Sequence, residues 1–188
     1  DNLHNFDMGA YETGEVTVVK RVHILSPHQA DYETIQQAMD AAVEGDIISL
    51  EAWVYSGTGN YNVTWSASND VALIGLGAGL STIDAQVLGR AITFEVAVSA
   101  TIEGLTIQNG KVTDENGGGI WLQGGSNLVL INVVINCCTA EDSITGETKG
   151  GAVYSDSSTV EARTCVFSGN SAHYGGVAGG EIGCGTWN

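Results

Sequence analysis

Gly104-Leu-Thr-Ile-Gln-Asn109, Asn132-Val-Val-Ile-Asn-Cys137 and Thr164-Cys-Val-Phe-Ser-Gly169 align as three copies of one pattern. In each, the second and fourth residues are apolar: Leu105 and Ile107, Val133 and Ile135, Cys165 and Phe167. The copies are separated by 28 and then 32 residues. A second motif travels with them. Gly117-Gly-Gly-Ile-Trp121 returns 33 residues later as Gly150-Gly-Ala-Val-Tyr154, and again as Gly175-Gly-Val-Ala178. Each unit therefore reads as an apolar strand, a turn holding Asn or Gly, a Gly-Gly bend and another short strand. One such unit cannot shelter its own apolar face, so successive units must stack. Coiling them one above another pairs each strand with its equivalent at about 4.8 Å per rung. Leu105, Val133 and Cys165 then form one interior column, and Ile107, Ile135 and Phe167 the next. A β-sandwich, the alternative for a Gly-rich all-β chain, would show hairpin turns about every 8–12 residues and no long period.

Outward from this repeat, short apolar stretches between Gly, Asn and Ser turns predict strands near Ile47–Leu50, Val63–Trp65, Val71–Ile74, Thr82–Ile83, Ala91–Phe94, Thr101–Ile107, Gly119–Leu122, Leu128–Ile135, Ala152–Tyr154 and Val160–Phe167. Residues 16–25 are β-branched and read as one more strand, broken by Ser26-Pro27-His28. Tyr32, Ile35, Ala38, Met39, Ala42 and Val43 follow helical spacing and predict a helix over 31–43, with Asp31 or Thr34 as N-cap and Gly45 as its stop. Residues 1–15 read as an N-terminal arm and 16–188 as one domain, with rungs over about 46–180 and a Gly-rich C-terminal tail.

Composition agrees with an all-β chain. Of 188 residues 26 are Gly and one is Pro, a content that long helices do not tolerate. Twenty-two Asp and Glu against six Lys and Arg give a net charge of −16, which disfavours nucleic acid and anionic membrane surfaces as partners. No apolar run is long enough for a transmembrane helix. The start at Asp1 rather than Met fits a processed, secreted or cell-surface protein. Cys137, Cys138, Cys165 and Cys184 lack zinc-site spacing. They are buried small hydrophobes or disulfide partners, with pairing open.

Tyr32, Thr34-Ile35-Gln36, Ala38, Ala41-Ala42, Gly45-Asp46 and Ile47-Ile48-Ser49-Leu50, with Ser81-Thr-Ile-Asp-Ala85 further on, resemble the opening of right-handed β-helix proteins of the pectate-lyase superfamily. Gly150-Gly-Ala-Val153 and Phe167-Ser-Gly-Asn170, followed by Gly175-Gly176, resemble the repeats of chlamydial polymorphic outer-membrane protein passengers. The resemblance covers about residues 22–180 and implies a right-handed parallel β-helix (β-solenoid) whose N-terminal end is covered by a short α-helix. It says little about activity, because these repeats are structural.

Candidate chemistry is sparse. Asp84 with Arg90 is the best acid–base pair, with a turn carboxylate and a surface ion pair as the plainer reading. Asp114-Glu115 ahead of Gly117 is a candidate calcium loop, against a solvated acidic turn. Neither supplies the paired carboxylates of a glycosidase, and no catalytic set emerges. His4, His23, His28 and His173 lack metal-like spacing. Trp121 and Tyr154, if outward at equivalent positions, would form an aromatic ladder suited to sugar rings or a protein partner. Asn62-Val-Thr64 is a glycosylation sequon. The expectation is a structural or adhesive solenoid that associates head to tail through open ends, residues 16–25 being a strand it could donate. A polysaccharide lyase or glycan-binding module is the alternative.

Overall fold

The structure, a computed structural model, describes residues 21–25, 29–65, 70–144 and 146–182, the last three by backbone alone. It is a parallel β-solenoid of about five turns with one short helix. The arm at 1–15 and residues 16–20 of the strand expected over 16–25 lie outside the described residues; the rest of that stretch contains the strand β1 (Val22–Ile24).

Three faces make up each full rung. Face A stacks β3 (Ile47–Leu50), β6 (Val71–Ile74), β9 (Ser99–Glu103), β13 (Asn127–Ile131) and the second half of β16 (Val153–Arg163). Face B stacks β4 (Val54–Tyr55), β7 (Thr82–Asp84), β10 (Thr106–Gln108), β14 (Val134–Asn136) and β17 (Val166–Ser168). Face C stacks β5 (Val63–Trp65), β8 (Ile92–Phe94), β12 (Ile120–Leu122), the first half of β16 and β19 (Ala178–Ile182). A small fourth face holds β11 (Lys111–Thr113), β15 (Thr139–Glu141) and β18 (Ser171–Ala172). Every pairing within these stacks is parallel.

The interior columns follow the period. Ile107 pairs with Ile135 and Ile135 with Phe167, and the column extends back through Ile83 to Tyr55. Leu105 and Val133 are fully buried one step away, tied to the next rung by the Val134 and Val166 N–H groups. Face A contributes Ile48, Leu73, Ile102, Leu130 and Ala162. Face C runs Trp65, Phe94, Leu122, Ser155 and Gly180, so its interior tapers toward the C-terminal end. At the wide end, the Trp65 and Phe94 rings stack with centroids 4.8 Å apart.

Three expected long strands are broken where the rung turns. Thr101–Ile107 divides at Gly104, Leu128–Ile135 at Asn132 and Val160–Phe167 at Thr164, each in the left-handed region with φ of 64°, 52° and 56°. One left-handed residue turns the chain from face A to face B, a conformation Gly and Asn adopt at least cost. The Gly-Gly bends answer a different demand. A Cβ on Gly118 would lie 2.5 Å from the Thr139 carbonyl oxygen, so the corner backbones touch. The expected tail is part of the stack through Ile182, because β19 pairs with β16. Residues 183–188 lie outside the described residues.

The helix, α1 (Ile35–Ala41), is shorter than the 31–43 its periodicity predicts. Thr34 accepts from the Gln37 N–H and the Gln37 side chain accepts from the Thr34 N–H, a capping box that fixes the start. Upstream, Ala30–Tyr32 forms β2, antiparallel to β1 (Val22–Ile24). Ile35, Ala38 and Met39 are buried against the core.

Candidate functional site

A solenoid's functional surface lies on its ends and flanks, because its interior is filled. At the N-terminal end each face presents a first strand whose outer edge would otherwise expose backbone donors and acceptors. Face A is closed by β1, which pairs antiparallel with β3 and carries β2 outside it. His23 on β1 sits between two carboxylates, 2.7 Å from Asp31 Oδ1 through Nδ1 and 3.2 Å from Glu51 Oε1 through Nε2. The Asp31 hydrogen bond, opposed by partial burial and helped by Glu51, holds the imidazole pKa above its ordinary value. Face C is closed by a side chain: the Gln36 amide accepts from the Thr64 N–H at 2.8 Å and donates to the Thr64 carbonyl at 3.2 Å. It reproduces on β5 the pair of bonds a neighbouring strand would make.

Face B has no such cover among the described residues. The Thr82 N–H donates to the Trp53 carbonyl at 2.9 Å, so strand alternation turns the N–H and C=O of Val54 to the outer side of β4. A cleft of about 400 Å³ lies there, lined by Arg21, Glu33, Trp53, Val54, Tyr55, Ser56 and Asn60. Trp53 and Val54 are 52% and 51% exposed. Arg21 lies over one face of the Trp53 ring at 4.1 Å and pairs with Glu51 at 3.0 Å. The Tyr55 hydroxyl donates to the Arg21 and Glu51 carbonyls, and burial pushes its pKa up to about 12. This volume lies in the range of small-ligand clefts. Its walls combine an aromatic ring with a cation, a carboxylate and an open strand edge.

On the flanks, the expected Asp84–Arg90 pair does not form. Asp84 accepts from Gln108 Nε2 at 2.8 Å, Asn109 Nδ2 at 3.0 Å and the Gln86 N–H. Burial works to raise its pKa, and these bonds outweigh it and hold the carboxyl below the usual range. Arg90 is buried at the other end of its loop, bound to the carbonyls of Asn116 and Gly117, the Thr93 hydroxyl and Glu115. Its guanidinium lies 4.7 Å from the centre of the Trp121 ring. Trp121 and Tyr154 do occupy equivalent, half-buried positions. Arg90 thus stacks on the Trp121 ring and ties it to the Gly117 bend.

The two acidic residues of the candidate calcium loop are engaged separately. Glu115 binds Arg90, and Asp114 accepts from the N–H and hydroxyl of Ser143. Those Ser143 bonds hold Asp114 below the usual carboxylate range. They also tie the insertion after Cys138 to the preceding rung. Within the insertion, Asp142 accepts from several backbone N–H groups, that of Gly146 foremost, which hold its pKa well down.

Cys137, Cys138 and Cys165 are free thiols, and Cys184 lies outside the described residues. Cys138 is buried in the core, which pushes its pKa up to about 12. His173 packs edge-on against Tyr174 at 4.5 Å. Asn62 is exposed at a left-handed turn. His4, His28 and Trp187 lie outside the described residues. At the C-terminal end, β17, β18 and the Thr159–Arg163 half of β16 have no strand beyond them among the described residues. Val166 is 54% exposed there, and Phe167 and Cys165 are half-buried.

Sequence reasoning missed Gln36 and Trp53 as edge residues, and the carboxylates around His23. Only the polar face of the helix hinted at the first, and no hairpin signal marks the β1–β2–β3 pairing that builds the others. No helix among the described residues is long and apolar enough to cross a membrane. Searches against protein-family models, curated proteins and solved structures return no match, and the parallel β-solenoid rests on the strand pairings themselves.

Proposed function

We propose that the chain is a structural or adhesive solenoid of the cell surface or extracellular space, which associates with further copies through its C-terminal end. The observation that carries this reading is the end itself: among the described residues no strand lies beyond β17, β18 or the second half of β16, and the outward column Thr106, Val134, Val166 ends on a Val166 that is 54% exposed. Free parallel edges with apolar side chains accept further strands. If β4 of the next copy receives them, association runs head to tail and gives filaments; if a second C-terminal end does, it closes as a pair. Sedimentation across a concentration series, with negative-stain imaging, tests the proposal. Mass should rise with concentration, and Val166→Lys should lower it without unfolding the chain. A single monomeric species at every concentration would remove the assembly reading.

A glycan-binding or lyase role is the second reading, favoured by the cleft at Trp53 and by the resemblance of residues 32–85 to carbohydrate-active β-helices. Acidic polysaccharide with calcium, followed by the absorbance of unsaturated products, tests the lyase. Titration with neutral and acidic oligosaccharides, followed by Trp fluorescence, tests binding. Trp53→Ala should abolish any binding response at the cleft. Asn62 is proposed as a glycan acceptor where the source glycosylates, a mass shift lost in Asn62→Gln being the check.

A further inference from the structure

We infer that the outer surface of face B is a lateral docking surface, and that its occupant is the same face of a second copy turned end for end. With Tyr55, Ile83, Ile107, Ile135 and Phe167 facing inward, strand alternation turns Val54, Thr82, Thr106, Val134 and Val166 outward. Asp84 is the only charged residue on these strands, and Gln108 and Asn109 hold its carboxylate. The other faces are charged. Face A turns out Glu103, Glu161 and Arg163, the fourth face carries the Lys111–Glu141 pair, and face C has the Arg90–Glu115 pair beside Trp121. A chain of net charge −16 repels its own copies least across the face with least charge.

The face is also self-complementary in shape. Residues 75–81 and 85–91 form loops on the two margins of β7, and neither loop carries an acidic residue. The Gly79 N–H donates to Thr106 Oγ1 at 3.2 Å, so the first loop lies over the outside of β10. Leu76 and Leu80 on that loop, and Val87 and Leu88 on the other, are more than half exposed. The corners on both sides of β14 and β17 are two residues long, so that half of the face is flat. A two-fold axis between the halves sets the raised half of each copy on the flat half of the other. Leu76, Leu80 and Val87 of each then lie against Val134 and Val166 of the other. Backbone strain marks the same loop. Gln86 and Val87 are both left-handed, with φ of 54° and 62°, and the Leu88 N–H donates to the Ala85 carbonyl at 2.9 Å. A β-branched residue is the worst occupant of such a turn, and the exposed Val87 side chain recovers little of that strain within its own chain. Strain of this kind concentrates at binding sites.

This lateral contact goes beyond the end contact proposed above and shares only Val166 with it, so the test uses the opposite half of the face. Sedimentation equilibrium of the full chain should show a monomer–dimer equilibrium whose dissociation constant rises roughly tenfold or more in Leu80→Asp. Val87→Gly should weaken pairing while raising the urea midpoint of unfolding, because Gly suits the turn. In a mixture of labelled and unlabelled chain, isotope-filtered nuclear Overhauser contacts should join Leu80 methyls of one copy to Val134 or Val166 methyls of another. Association unchanged by Leu80→Asp would overturn the lateral face and leave the end contact standing. A monomer at every concentration would overturn both. A monomer that floats with phosphatidylcholine vesicles would overturn the second copy by showing that a neutral bilayer takes the face. Should Leu80→Asp disturb folding, the unsubstituted protein still decides, since absence of the filtered contacts in the associated state overturns the assignment.

Discussion

The turn residue that carries the chain from face A to face B shows how much one position decides. Gly104, Asn132 and Thr164 occupy equivalent corners, all left-handed. Asn132→Gly should be nearly neutral, whereas Asn132→Ala should cost about 1 kcal/mol, because Ala keeps the Cβ that crowds the following carbonyl and lacks the short polar side chain that eases Asn into this conformation. Urea unfolding of the two variants side by side checks this. Inside the rung, Leu105 is fully buried between neighbours on both sides, and Leu105→Ala should cost about 2–5 kcal/mol. His23 sets a pH dependence at the same scale. Its folded pKa lies above its unfolded value of 6.5. The imidazolium therefore stabilises the β1 pairing fully below pH 6.5, and that contribution is lost as pH rises through the folded pKa. Thermal melts from pH 5.5 to pH 8.5 should show a loss of stability across that window that His23→Gln lacks.

The elements show which parts of the fold are legible from sequence and which are not. The strands β3, β5 and β6 fall where apolar alternation places them, because their columns must be apolar to be buried. The Gly-Gly bends are legible because a Cβ would collide with the touching backbone there, whereas the left-handed corners are not, since Thr164 holds one as Gly104 and Asn132 do and apolar residues run on both sides of each. The closure of the N-terminal end is not legible either. β1 and β2 pair antiparallel across a link with no tight-turn signature. β2 also takes residues that helical periodicity assigns to α1, whose true start is set by Thr34 and Gln37. The edge role of Gln36 depends on a partner 28 residues away. Gln36→Ala would leave the Thr64 N–H and C=O of β5 without partners, at a cost of about 1–3 kcal/mol. Its signature would be faster amide exchange at Thr64, with Val71–Ile74 unchanged. The candidate chemistry failed for a related reason. Asp84 and Arg90 are six residues apart but stand at opposite ends of a loop, and each is claimed by the next rung.

At the scale of the whole molecule, the chain is a stack whose two ends differ. Faces A and C are covered at the N-terminal end, and the C-terminal end stops on open edges among the described residues. A contact between two C-terminal ends closes as a pair, and sedimentation should then plateau at twice the monomer mass. A contact between the C-terminal end of one copy and β4 of the next should give mass that keeps rising with concentration. The acidic surface, with a net charge of −16, repels other copies at low salt, so association should strengthen as salt screens it.

All of these expectations depend on segments roughly thirty residues apart in sequence lying one above another. Nuclear Overhauser spectroscopy of the labelled protein measures this most directly, through the contacts along the column Ile83, Ile107, Ile135 and Phe167. The stack predicts inter-strand backbone contacts in parallel register between each successive pair. Absence of those contacts, or antiparallel contacts in their place, would contradict it.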